Sequence, residues 1–421
     1  MSYEMRNMLI VNAKVVTPLG NEAVKGFAMR RLDVKENSFI ACVDGRIARI
    51  GSMAELPVYM KLSPVAFEQY DAEGCVVLPG FVDSHTHLVF GGYRAEEFRW
   101  RLEGQSYMDI MRKGGGIQST VDATRSATAE ELAENARWML AEMRRMGVTT
   151  VEAKSGYGLD MDSERRMLDA ISLLASDPKT GVRIVSTFLG AHAVPREYKG
   201  RTAEYTDLII REMLPRFRNK ATFCDVFCEK EVFELEDSRR LLQAARALGY
   251  KLKLHADEIV QLGGAGLAAE LKAVSADHLL HVSDADIKRM AEAGVVATLL
   301  PLTAFALHEP YAPARKFIEA GCAVALATDL NPGSCFSGSI PLTIALACIY
   351  MKMSVEEVIT AMTLNGAAAL DMADITGSLE EGKFADMAVL RFDNYNALPY
   401  YVGMNCVKAT FKEGFCTYST N

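Results

Sequence analysis

The sequence predicts an α/β fold, a (β/α)8 TIM-like barrel with a small β-sandwich domain built from both chain termini. Three observations support this prediction. Eight segments in the middle of the chain are mostly continuous apolar runs, as is typical of a parallel sheet that helices cover. Several helical patterns end in a glycine that the next apolar run follows at once. Short strand-like segments with turn signals occupy both ends of the chain.

The apolar runs give the strands of the barrel. We expect these strands to begin near Val76, Val148, Val182, Phe223, Lys251, Ser275, Val295 and Ala323. Eight β/α units close a barrel, and the active site of such a fold forms where its strands end. Capping-box patterns at Thr128 and Ser354, each followed by Glu three residues later, predict helix starts, the first of a helix over 129–146.

The two ends of the chain read as β structure. Strand-like segments cover residues 8–11, 39–43 and 46–50 near the start, and 385–390 and 407–411 near the end. Asp44-Gly45 between two of them is a hairpin signal. We therefore predict that residues 1–75 and 377–421 form the β-sandwich domain and that residues 76–376 form the barrel inserted between them.

Composition narrows the classes of function. The chain has 421 residues, of which 50% are hydrophobic, and a net charge of −8 with both signs interspersed. The absence of a basic stripe argues against a nucleic-acid partner. No apolar run approaches the ~18 residues of a membrane span, and the start of the chain lacks the pattern of a signal peptide. Nine scattered cysteines fit reduced thiols, so we expect a cytoplasmic protein.

Two histidines follow a buried run at residues 77–83. His85 and His87 are two residues apart, so on extended backbone their side chains share one face. His255 ends the run at 250–254, and Asp329 follows the run at 322–328. Three imidazoles and one carboxylate suit Zn²⁺ or Fe better than Mg²⁺ or Ca²⁺, which prefer oxygen ligands. The sequence therefore predicts a metal site at the strand ends, although Asp329 alone also fits a turn.

A metal with an open water position indicates hydrolysis. Glu258, three residues after His255, is a candidate for taking the proton of the water and giving it to a leaving nitrogen. The other interpretation of Glu258 is a solvated carboxylate at a helix start. His278, at the next strand end, is placed to polarise a substrate oxygen. About 40 residues separate His87 from Thr128, far more than the roughly 2–6 of most βα loops, and we interpret this segment as a lid.

Two segments resemble the amidohydrolase superfamily, whose members are metal-dependent hydrolases on a (β/α)8 barrel. They are residues 79–87, Pro-Gly-Phe-Val-Asp-Ser-His-Thr-His, and residues 381–390. Segments 85–94, 154–159, 188–192, 255–258 and 328–333 are similar to one branch of that superfamily. That branch opens the ring of 4-imidazolone-5-propanoate by hydrolysing a C–N bond, which gives N-formimidoyl-L-glutamate in histidine degradation.

The resemblance implies roles for individual residues. It implies one Zn²⁺ or Fe ion per subunit, bound by His85, His87, His255 and Asp329. Its catalytic groups are Glu258, His278 and the ligand Asp329. The residues that it places against the substrate are Arg94, Tyr107, Tyr157, His192, Asn331, Gly333 and Ser334. Lys154 ends a strand, but we see no pattern for a lysine that bridges a second metal.

Two other functions stay open at this point. One is a superfamily deaminase that acts on a nucleobase-like ring and releases ammonia. The other is a barrel that has lost catalysis and serves as a binding protein, which need not hold stoichiometric metal. For the enzyme we expect a small-molecule substrate, neither nucleic acid nor a membrane as partner, and a homodimer.

Overall fold

The computed structural model describes residues 7–105, 113 and 115–420. Its strands are β1 Met8–Thr17, β2 Asp33–Val43, β3 Arg46–Ser52, β4 Glu68–Asp71, β5 Val76–Pro79, β6 Phe81–Asp83, β7 Val148–Lys154, β8 Arg183–Ala191, β9 Phe223–Cys228, β10 Lys251–Ala256, β11 Ser275–His278, β12 Val296–Leu299, β13 Val324–Leu326, β14 Met387–Leu390, β15 Val407–Lys412 and β16 Phe415–Ser419.

The α-helices cover the barrel and connect its strands. They are Leu56–Leu62, Ala95–Leu102, Ile117–Ser126, Ala129–Arg145, Met161–Ser176, Thr202–Leu208, Leu214–Phe217, Leu235–Ala247, Gly264–Glu270, Asp284–Ala293, Pro301–Leu307, Ala314–Glu319, Ile340–Ile349, Val355–Met362, Leu364–Ala368 and Ala397–Tyr400. A π-helical turn, Ile209–Met213, joins two of them, and short 3₁₀ turns lie at Gly26–Arg30, Pro178–Thr180 and Arg196–Tyr198.

Strands β6 to β13 form one parallel sheet in sequence order, and its two edges meet. Just beyond the strand ends, a hydrogen bond joins the two edges: the backbone N–H of Asp329 donates to the carbonyl of His85 at 3.0 Å. Below it, the carboxylate of Asp83 accepts from the amide and the hydroxyl of Thr328 at 3.0 and 2.6 Å. The predicted barrel is confirmed, and its closure brings the first and last candidate ligands together.

The first barrel strand differs from the prediction. The run predicted to begin near Val76 is two strands, because β5 pairs with β1 and β14 while β6 pairs with β7. Gly80 separates them, and a Cβ there would lie 2.2 Å from the Thr149 hydroxyl oxygen. His85 and His87 therefore follow a three-residue strand rather than end a long one.

The chain ends build a second sheet, in the order β16-β15-β14-β5-β1-β2-β3 with β4 beside β1. Alternate side chains of β1 enter different apolar clusters, Met8 and Ile10 on one face and Leu9 and Val11 on the other. The predicted origin of this sheet in both termini is confirmed. The domain boundaries at 75/76 and 376/377 stay predictions.

Several local features of the structure agree with what the sequence predicts. Thr128 and Ser354 both form complete capping boxes, with Glu131 and Glu357. The nine cysteines all lie in the described part of the chain and are free thiols. Within that same part, no helix combines the length and the apolar character that a membrane crossing requires.

Candidate metal centre and active site

The four predicted metal ligands converge at the mouth of the barrel. Nε2 of His85 and Nε2 of His87 lie 3.5 and 3.6 Å from Oδ1 of Asp329. Nε2 of His255 lies 3.2 Å from Nε2 of His87. All four residues are buried, between 0% and 3% exposed. The structure thus brings together residues that follow β6 and β13 with His255 of β10, although these segments are far apart in the sequence.

Buried carboxylates contact two of the histidine rings at Nδ1, the ring nitrogen on the side away from the cluster. Nδ1 of His85 lies 2.6 Å from Oδ2 of Asp277, and Nδ1 of His255 lies 3.0 Å from Oδ2 of Asp225. Because an ionised carboxylate can only accept, each contact favours a proton on Nδ1 and leaves the Nε2 lone pair facing the cluster. Thr303 donates to Oδ2 of Asp329 at 2.6 Å, which leaves Oδ1 toward the histidines.

These residues fit a metal ion. Two atoms bound at ordinary zinc distances in a tetrahedral site lie roughly 3.3 Å apart. The distances of 3.2–3.6 Å for the pairs His87–His255, His85–Asp329 and His87–Asp329 are close to that value. Nε2 of His85 and Oδ1 of Asp329 are buried without a hydrogen-bond partner. Such orphaned acceptors are costly unless a cation satisfies them. His278 also comes close enough to His85 and His255 for the three rings to hold an ion.

Glu258 and His278 lie together beside the cluster. Oε1 of Glu258 is 3.5 Å from Nδ1 of His278. Burial, and next the negative charge of Asp329, raise the pKa of Glu258 to about 8. Burial also lowers the pKa of His278 well below its usual value. The pair therefore has a carboxyl that can exchange a proton near neutral pH and a neutral imidazole.

The backbone is strained at two of these positions. His278 has φ 75° and Asp329 has φ 54°, both in the left-handed region that side chains rarely adopt. Strain of this kind costs roughly 1–3 kcal/mol and concentrates at functional sites. In both cases it turns a side chain at a strand end toward the mouth of the barrel.

Arg94, Gly333, Tyr157 and His192 are four of the residues that the resemblance places against a substrate. The guanidinium of Arg94 lies so close to Gly333 that a Cβ there would be 2.0 Å from Nη2. The Tyr157 ring is 5.0 Å from that of His192, which stacks on His87 at 4.8 Å. A cavity of ≈ 720 Å³ adjoins Arg94 from the side of Phe98 and Trp138. The Arg94 guanidinium thus lies against Gly333, and the rings of Tyr157 and His192 lie beside His87 of the cluster.

Asn331 and Ser334 shape the turn that carries Asp329. Oδ1 of Asn331 accepts from the amides of Gly333 and Ser334, both at 2.8 Å, and its Nδ2 donates to the carbonyl of Asp329. The side chain of Asn331 is therefore engaged within the turn. Tyr107 lies outside the described residues. The assignment of individual roles to all these residues stays a prediction.

Sequence reasoning missed the residues behind the ligands. Asp225, Asp277 and Thr303 contact ligand side chains directly, and Phe227 packs 5.8 Å from the His255 ring. The sequence holds a partial signal for two of them, since Asp225 and Asp277 are charged residues in otherwise apolar strands. Which histidine each would meet depends on strand register, which the sequence does not give.

Comparison with known proteins places this site in context. The family model described as "Amidohydrolase family" matches residues 76–416. A protein named imidazolonepropionase from Bacteroides thetaiotaomicron is 60% identical over 412 residues, covering 97% of this chain and 98% of that one. A protein of the same name from Clostridium tetani is 54% identical over 415 residues, covering 98% of each chain.

Solved structures with the same fold are more distant in sequence. A 5-methylcytosine deaminase from Klebsiella pneumoniae has a TM-score of 0.74 at 18% identity and covers 98% of both chains. E. coli guanine deaminase has a TM-score of 0.71 at 15% identity, covering 99% of this chain and 100% of that one. At these identities the likeness establishes the fold of the chain alone.

Proposed function

The chain belongs to the amidohydrolase family and, within it, to the imidazolonepropionases, and on that premise we propose that it hydrolyses 4-imidazolone-5-propanoate to N-formimidoyl-L-glutamate in histidine degradation. One structural observation supports this reaction above the others. Two groups of possible metal ligands share His85, one with His255 and His278 and one with His87 and Asp329. An arginine and a wall of rings lie near them, so one site offers metal ligands, a cation for an anionic substrate group and a place for a flat ring.

We propose that one Zn²⁺ or Fe ion is held by His85, His87, His255 and Asp329. Bound there, the ion would lower the pKa of a water and polarise the ring carbonyl. Asp277, Asp225 and Thr303 support this ligand set, since each leaves one donor atom of a ligand free to face the centre.

Glu258 is the proton shuttle of this proposal. Its carboxylate takes a proton from the attacking water and returns it to the ring nitrogen as the C–N bond breaks. The attacked carbon becomes a carboxyl group, and the released ring nitrogen stays in the product as part of the formimidoyl group, so the reaction adds one water and no group leaves. His278, 3.5 Å from Glu258, stabilises the negative charge that develops on the carbonyl oxygen.

The substrate is oriented by its two ends. The Arg94 fork binds the propanoate carboxylate, for which a guanidinium supplies two parallel donors. Tyr157 and His192 lie against the flat ring, and Gly333 leaves the space that Arg94 occupies. A nucleobase-like ring offers no carboxylate to Arg94, so this residue favours the propanoate over the substrate of a deaminase.

A coupled assay tests the proposal. The substrate is generated in place from urocanate by urocanase, the purified and metal-analysed protein is added, and products are followed by mass spectrometry. We expect rapid formation of N-formimidoyl-L-glutamate that stops after chelation and returns with Zn²⁺ or Fe²⁺. Bound metal without this product would contradict the proposed substrate, and product formation by metal-free protein would contradict the metal mechanism.

We also propose that the chain works in the cytoplasm as a homodimer. Light scattering on the purified protein tests the dimer, and a monomeric mass would refute it.

For the organisation of the chain, we propose that residues 1–75 and 377–421 form one domain and that residues 76–376 form the other. The segment between His87 and Thr128, which includes the helices Ala95–Leu102 and Ile117–Ser126, is proposed as the lid.

A further inference from the structure

The interior of the barrel below the metal ligands is charged rather than apolar. Inward-facing positions of four strands carry Glu152, Lys154, Asp225, Lys253 and Asp277, all 0% exposed. Barrel interiors are ordinarily filled by branched apolar side chains. Burying charged groups is costly unless they are paired, so a layer of this kind has to be held together by its own contacts. We call these five residues the ionic layer.

Lys154 is the central cation of the ionic layer. Its ammonium lies 2.7 Å from Asp225 and 2.8 Å from Glu152, with Asp277 at 4.0 Å. Asp225 in turn contacts Nδ1 of His255 at 3.0 Å. A continuous chain of polar contacts therefore runs from Lys154 through Asp225 to a metal-ligand ring.

Lys253 makes a second arm of the same kind. Its ammonium donates to the carbonyl of Ser84 at 2.9 Å and lies 3.5 Å from Asp277. Asp277 contacts Nδ1 of His85 at 2.6 Å, and Ser84 precedes His85 in the chain. Each lysine thus fixes one carboxylate behind one histidine.

We propose that Lys154 and Lys253 are positioning residues of the metal centre, which hold Asp225 and Asp277 so that His255 and His85 present Nε2 to the ion. This inference rests on the proposed metal centre. Without Lys154, Asp225 would lose the ammonium that lies 2.7 Å from it, whereas Glu152 would keep Lys253 at 3.7 Å. Asp225 would then turn away from His255. Lys154 is fully buried, so it reaches no substrate and acts only through these neighbours.

The test is the affinity of the folded metal-free protein for Zn²⁺, measured by competition with a chromogenic chelator. The variants are Lys154→Met, Asp225→Asn and their double. Lys383→Met is the matched control: Lys383 is also a buried lysine, but it bonds to Gly20, Ala373 and Ser378 at the terminal sheet. Circular dichroism checks folding, and Co²⁺ absorption reports the coordination geometry.

We expect Lys154→Met to weaken Zn²⁺ binding by about 10- to 100-fold, the range seen when a group supporting a metal ligand is lost. The double variant should bind Zn²⁺ no more weakly than whichever of the two single variants binds it less tightly, because both changes break one chain of contacts. Lys383→Met should bind Zn²⁺ within about twofold of the unmodified protein.

Folded Lys154→Met with unchanged Zn²⁺ affinity and an unchanged Co²⁺ spectrum would overturn the inference, as would losses that multiply in the double variant. If Lys154→Met does not fold, Lys154→Gln, which keeps donors but not the charge, replaces it with the same expectation. Failure of the unmodified protein to bind Zn²⁺ would instead refute the proposed metal centre itself.

Discussion

Gly333→Ala should displace the Arg94 side chain without a change to residue 94 itself. The new Cβ would lie 2.0 Å from Nη2 of Arg94, and ordinary contact begins at 3.4 Å, so the guanidinium must retreat by roughly 1.4 Å. Gly333 does not have the left-handed backbone conformation, so alanine fits the chain itself. The displaced fork can no longer bind the propanoate carboxylate in the proposed geometry.

The expected size follows from the lost interaction. Hydrogen bonds to charged groups contribute about 1.5–3 kcal/mol, which corresponds to a roughly 10- to 100-fold fall in kcat/KM. Steady-state kinetics in the coupled assay measure this fall, and we expect most of it in KM. Arg94→Ala should lose a similar amount, and combining the two changes should add little, because both remove the same contact.

Gly338→Ala is the control for this experiment. It lies in the same connection after Asp329, but its Cβ would lie 3.0 Å from Cγ of Met143, a flexible side chain. We expect its kcat/KM to stay within about threefold of the unmodified value. A Gly333→Ala variant with unchanged kcat/KM would refute the role of Arg94 as the anchor of the carboxylate tail.

Three further predictions use the same protein and assays. Glu258→Gln should keep its metal but lose about 10²- to 10⁴-fold in turnover, because the amide cannot shuttle a proton; near-normal turnover would remove Glu258 from the mechanism. Thr303→Val, which deletes the 2.6 Å hydrogen bond to Asp329, should weaken Zn²⁺ binding about tenfold in the chelator competition, and an unchanged affinity would show that Asp329 needs no such support. Removing the metal should lower the melting temperature, and refilling with Zn²⁺ at about 100 times its Kd should restore about 2.7 kcal/mol of stability at 25 °C; equal melting temperatures with and without metal would contradict a buried metal site.

Local patterns in the sequence predict much of this fold. Apolar runs separated by capped helices predict the barrel, and the spacing of His85 and His87 predicts that both side chains face the same centre. The capping boxes at Thr128 and Ser354 are complete in the structure. All of these features depend on residues a few positions apart.

The differences arise where distant segments pair. Val76–Pro79 has the composition of a barrel strand, yet it joins the terminal sheet because its partner β14 lies some 300 residues further along the chain. The same limit applies to the site. Charged residues at alternate positions, such as Lys253 and His255, signal an unusual barrel interior, but only strand register pairs Asp225 with His255 and Asp277 with His85.

One measurement tests the central claim most directly. The coupled reaction is run in H₂¹⁸O with the metal-loaded protein, and both the mass of the product and the release of ammonia are recorded. Urocanase places one ¹⁸O from water in the ring carbonyl, so ring hydrolysis predicts N-formimidoyl-L-glutamate that carries two ¹⁸O in the new carboxylate and keeps both ring nitrogens, with no ammonia released in the step. Stoichiometric ammonia, or a product with only one ¹⁸O, would contradict hydrolysis of the ring C–N bond at this site.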